Sequence, residues 1–249
     1  MEVHAHSHLA SGETHTERKK WTHYFWEFLM LFLAVFCGFL AENQREHYIE
    51  KKRAKEYAVS LLMDLKVDTF IINNIIKNRT FREQRLSTLM DELEKKLADQ
   101  QDTVLFDIGM TELARRSYPI LRTGTYEQVK NSGSLRYFAN RIATALVEYE
   151  SDRTLLEKQL EIENKYVLEN IILLREKFCN PKYLRYATEE KTVIVTDPLI
   201  SKDPDIQLQV YRSINFLRER NQIYIKYLNE AADVANAILL ELETEYHLK

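Results

Sequence analysis

Apolar residues along this chain recur at spacings of four and three, the period of a helix with one buried face. The first such row runs Ala54, Ala58, Leu61, Leu65, Asp68, Ile72 and Ile75, with Asp68 its one polar member. The phase shifts at Lys77-Asn78-Arg79-Thr80, and apolar spacing resumes at Leu86, Leu89, Leu93 and Leu97. No Gly or Pro occurs between Gly38 and Gly109, so the usual breakers are missing. The pattern predicts one long helix over about 42–98, broken or bent near Asn78.

Residues 99–110 read as a connection carrying the apolar patch Thr103-Val104-Leu105-Phe106. Short helices are expected over about 111–116 and 126–131, with Pro119 between them. Ser132-Gly133 closes the second, because a glycine just past a helix end supplies the left-handed backbone that stops it. Asn140 is the expected cap of a helix over about 141–178. Its buried face is Ile142, Leu146, Tyr149, Leu156, Leu160, Val167, Ile171, Leu174 and Phe178, and Asn180-Pro181 ends it. Thr192 to Thr196 has β character, but a single strand needs a partner. Asp203-Pro204-Asp205 opens the last helix, over about 205–246, with Pro204 suited to its first turn. Its row is Ile214, Leu217, Asn221, Tyr224, Leu228, Ala231, Ala235, Ile238 and Leu242. Asn221 either fixes register or oligomeric state or is a core asparagine bonded to backbone.

The N-terminal part follows another pattern. Phe28 to Ala41 carries no charge, and counting from Trp21 brings the helix to about 31 Å, enough for a ~30 Å hydrocarbon core. Trp21, Tyr24, Phe25 and Trp26 suit headgroup depth. Every face of the stretch is apolar, which favours a span over a buried core helix, and Glu42-Asn43-Gln44 does not suit a cleavage site. Counting Lys and Arg alone, Arg45, Lys51, Lys52, Arg53 and Lys55 against Arg18-Lys19-Lys20, favours a cytoplasmic C-terminal side. Proximity, with only Arg45 near the exit, favours the opposite; the orientation followed has the N-terminus inside and the large domain outside. Glu27, Ala34, Gly38 and Ala41 share one helical stripe, in which Ala34-x-x-x-Gly38 permits close helix contact in lipid. The fold class expected is therefore all-α. One transmembrane helix over 21–41 precedes a long-helix antiparallel bundle with coiled-coil-like seams over 42–249.

Chemistry adds mostly exclusions. A net charge of −3 offers no basic excess for nucleic acid. Cys37 and Cys179 make neither a disulfide framework nor a C-x-x-C. Between Tyr48 and Tyr246 there is no histidine, which removes Ser-His and Cys-His catalysis and the Glu-x-x-His of di-iron bundles. Gly109, Gly124 and Gly133 cannot make a phosphate loop. In the polar tail over 1–20, His4, His6 and His8 alternate as metal candidates, without a second shell to orient their rings. No cofactor and no small-molecule substrate is expected. Carboxylates on charged helices read as solvated faces, and Arg115-Arg116 as a surface pair.

Tyr24 to Glu42 with Ser60-Leu61-Leu62-Met63-Asp64-Leu65, together with Thr125 to Arg136, resembles an uncharacterised Bacteroidota family of single-span proteins. Its members have an N-terminal span, a long charged helix and a central Ser-Gly-x-Leu motif, here Ser132-Gly133-Ser134-Leu135. The resemblance implies a bacterial inner-membrane location and no activity. The expected function is a membrane-anchored structural or interaction protein in a homo- or hetero-oligomeric membrane assembly, without catalysis. Its partners would be the lipid bilayer and either its own copies or another membrane protein. The other reading is a sensor-like ligand-binding helical domain coupled to the membrane, against which the N-terminal tail is too short for an output domain.

Overall fold

The computed structural model describes residues 21–113, 115, 117–183 and 196–248, with Leu173 described by its backbone alone. His4, His6, His8 and Thr192 to Val195 of the β-like segment lie outside the described residues. Helix α1 covers Trp21–Leu93, α2 Asp102–Glu112, α3 Gly124–Asn131 and α4 Asn140–Tyr166. A π-helical segment, Val167–Ile171, joins α4 to α5 (Ile172–Phe178), and α6 covers Pro204–Tyr246. The described residues contain no strand, only an isolated antiparallel bridge between Cys179 and Leu199. The protein is all-α.

The chain divides into two units at Lys52 and Arg53. In the first, the apolar stretch of α1 reaches a mean hydropathy of 2.0 over 18 residues, none of it buried. That is long and apolar enough to cross a membrane. It is not a core helix of this chain.

The second unit holds the core, in two clusters. One gathers Ala58, Leu61, Leu65 and Ile72 of α1 with Ile142, Leu146 and Leu156 of α4 and Leu228, Ala231 and Ile238 of α6. The other gathers Leu86 and Leu89 with Leu105 and Ile108 of α2, Val167, Ile171, Phe178, and Ile214 and Leu217 of α6. Along α1 and α6 the contacts run in opposite numerical senses: Lys66 meets Glu243, Arg79 meets Asn221, Glu83 meets Arg218 and Glu94 meets Tyr211.

Several element boundaries differ from the sequence reading. The first long helix is unbroken at Asn78 and ends at Leu93 rather than near Ala98. Past that point the Gln100 amide donates to the carbonyls of Leu93 and Lys95, and Leu97 is exposed, so no apolar row carries the helix further. The expected connection over 99–110 is mostly α2, because Leu105, Ile108, Gly109 and Glu112 form a buried helical face. Conversely, the described residues of 113–123 are not helical, so the helix expected over 111–116 survives only as the last residues of α2. Guanidinium groups bond the carbonyls of Glu112 and Ser117 there, and Pro119 cannot donate. Asn140 is the first residue of α4 and makes no capping bond; the cap position belongs to Ala139.

Candidate functional site

The row of buried residues on α1 does not change phase. Continuing at four and three from Ile75 gives Arg79, Arg82, Leu86 and Leu89, and Arg79 and Arg82 are buried at 0% and 1% exposure. Counting along α4 from Leu156 leads through Leu160 to Glu163, buried, and along α6 from Leu217 to Asn221, buried. Three helices therefore place a polar residue at one level, between the two apolar clusters.

One carboxylate serves two guanidiniums there. Arg79 Nη1 donates to Glu163 Oε2 at 2.9 Å, and Arg82 Nη1 donates to Glu163 Oε1 at 2.5 Å. Arg79 also donates to Asn221 Oδ1 at 3.2 Å and twice to the Ser117 carbonyl, at 3.1 and 2.8 Å. Its guanidinium lies 3.9 Å over the Tyr224 ring. Asn221 Nδ2 donates to the Arg79 carbonyl at 2.9 Å, so Asn221 is bonded both to backbone and to the ionic layer. Arg82 Nε, buried, has no hydrogen-bond partner among the described residues.

Burial raises the Glu163 pKa, but its two guanidinium partners more than reverse that and leave it below the usual glutamate value. Burial lowers the Arg79 pKa, and half a share in one carboxylate does not restore it. The Glu112 carboxylate, almost fully buried, takes Arg85 at 3.0 Å and Arg115 at 3.2 Å. Arg115 is an exposed ion-pair partner of Glu112, and Arg116 lies outside the described residues.

A second polar knot lies in the first apolar cluster. Asp68, 1% exposed, accepts from the Arg122 backbone N–H at 2.9 Å and from the Tyr149 hydroxyl at 2.9 Å. Asp64, four residues before it, accepts from Thr125 Oγ1 at 2.5 Å. The stretches around Asp64 and Thr125 meet here. Burial raises the Asp68 pKa despite its two donors.

Of the residues singled out from the sequence, Glu27, Ala34, Gly38 and Ala41 are exposed, and a Cβ on Gly38 would meet nothing within 4 Å. Glu27 lies 3.3 Å from His23 Nδ1, one turn back. Gly133 has φ 68°, one residue past the C-cap of α3, and Gly133 N donates to the Lys130 carbonyl at 3.1 Å. The sequence reading placed Arg79 in a polar phase shift and did not single out Arg82, Glu163 or Glu112. The signal that finds them is arithmetic: extend each apolar row through its charged members and ask whether opposite charges land at one level.

These groups are buried and internally bonded, an arrangement suited to setting helix register rather than to reaching a substrate. What results is an all-α protein with an exposed apolar helix and an ionic layer dividing its core. No protein-family model, curated protein or solved structure matches this chain.

Proposed function

We propose that the chain is a membrane-anchored, non-catalytic structural or interaction protein, single-pass in a bacterial inner membrane, working within an oligomeric assembly. The observation that carries the reading is the exposure of Trp21 to Ala41, where every residue but the half-exposed Leu29 is open. Leaving so much apolar surface in water is unfavourable at roughly 25 cal/mol per Å², so something outside this chain covers it. The length and the flanking Trp21, Tyr24 and Trp26 suit a bilayer. Residues 53–248 then act as an antiparallel bundle whose buried rows serve as coiled-coil-like seams, on the periplasmic side.

The sidedness of the apolar helix supports self-association. At about 100° per residue, Glu27, Ala34, Gly38 and Ala41 share one stripe, whereas Phe28, Phe32 and Phe36 project well away from it. Those three rings form a stacked ladder, with centroids 6.3 and 5.9 Å apart. Small residues then face a second copy and aromatic ones face lipid. Carbonate extraction tests the anchor: the full chain should stay with the membrane pellet, and release into the supernatant would overturn the reading.

A further inference from the structure

Beside the π-helical segment a cleft of about 360 Å³ opens between α5 and α6, in the size range of small-ligand pockets (about 300–1,000 Å³). Its lining includes Tyr166, Glu169, Asn170, Lys177, Arg212 and Ser213. Among the described residues Arg79, Arg82, Arg85, Arg115, Arg141, Arg153 and Arg218 all hold carboxylates. Arg212 and Lys177 hold none among the described residues, and both are exposed on the cleft. Ser213, 7% exposed, also lines the cleft. The Tyr166 ring packs 4.0 Å from that of Phe216, which fixes one wall. The extra residue of a π turn opens the helix locally, and such turns recur at functional sites.

We infer that this cleft binds a small organic oxyanion through Lys177 and Arg212. An arginine fork and a lysine point charge together match a carboxylate or phosphate. The Ser213 hydroxyl on α6 and the Asn170 amide on the π-helical segment supply hydrogen bonds from the two sides of the cleft. Glu169 on the rim disfavours a bare polyanion and favours a ligand carrying its own donor, a hydroxyl or an ammonium group. The ligand class is therefore a hydroxy acid, an amino acid or a small phosphate ester. This inference stands apart from the membrane reading, which its failure would leave intact.

The test is isothermal titration of the full chain in detergent micelles with malate, serine, glycerol 3-phosphate and inorganic phosphate, at ionic strength matched with sodium chloride. At least one donor-bearing compound should bind saturably and more tightly than inorganic phosphate. Arg212→Gln and Lys177→Gln should each weaken it about tenfold or more, the worth of one charge-assisted hydrogen bond. Lys226→Gln, elsewhere on α6 and paired to Glu230, should leave binding unchanged. Glu169→Gln should narrow the preference for donor-bearing compounds over inorganic phosphate. Preference between malate or serine and glycerol 3-phosphate assigns the carboxylate or the phosphate class. No saturable binding by any of the four, or equal binding by Arg212→Gln and the parent, overturns the inference.

Discussion

Glu163 is the residue on which the middle of the core turns. Replacing it with Gln leaves Arg79 and Arg82 buried without a counter-charge, and breaking a buried pair from one side costs about 3–5 kcal/mol. Denaturant unfolding of Glu163→Gln should show that loss. A triple replacement, Glu163→Leu with Arg79→Met and Arg82→Met, removes the charges together and should unfold close to the parent. If the single variant is as stable as the parent, the layer contributes little. Asp68 makes a prediction of opposite pH sign. Its folded pKa is raised, so above its ordinary value of 3.8 the folded state holds a proton that the unfolded state has released. Stability from this group is therefore greatest in acid and falls as pH rises from 3.8 through the folded pKa. The melting temperature of the parent minus that of Asp68→Asn should decline across that window, and a rise would contradict the assignment. Glu163 works the other way, holding its stabilisation above 4.5 and losing it as pH falls through the depressed folded value.

At the scale of elements, ends are decided by different physics. Gly133 stops α3 by backbone conformation, which was legible in Asn131-Ser132-Gly133, because only glycine takes φ 68° without strain. Gly133→Val should cost about 1–2 kcal/mol by thermal melting, with Gly12→Val in the tail as the neutral comparison. Asp203 and Pro204 open α6 as their types predict, Asp203 Oδ1 accepting from the Asp205 N–H at 2.8 Å. The end of α1 and the extent of α2 were not legible. They depend on Gln100 reaching back to the Leu93 carbonyl and on guanidiniums bonding the carbonyls of Glu112 and Ser117. Gly109 belongs here too. A Cβ on it would lie 2.9 Å from Cys179 Sγ, so α2 docks on residues 178–179 only because that position is bare. Gly109→Val should destabilise by about 1–3 kcal/mol in the same melting assay.

At the scale of the molecule, the exposed apolar stretch and the closed helical domain make separate demands. Removing residues 1–52 should leave a soluble, strongly helical protein, since both apolar clusters lie beyond Arg53. A far-ultraviolet spectrum lacking helix would contradict that. In the isolated span, Gly38→Ile should abolish crosslinking while Leu33→Ile leaves it, and equal effects would remove the small-residue stripe. The helices themselves, the apolar stretch and the stop at Gly133 were written in local pattern: the period of apolar residues, the absence of breakers, one glycine. Local pattern suffices there because helix periodicity and a left-handed turn are properties of neighbours in sequence. The ionic layer was decided by tertiary structure alone. Arg79 read as part of a break in the row, and Arg82 went unnoticed, because a charge, taken by itself, belongs in water. Only when α4 brings Glu163 and α6 brings Asn221 to the same level does burying them become tolerable, and no residue near them in sequence announces that meeting.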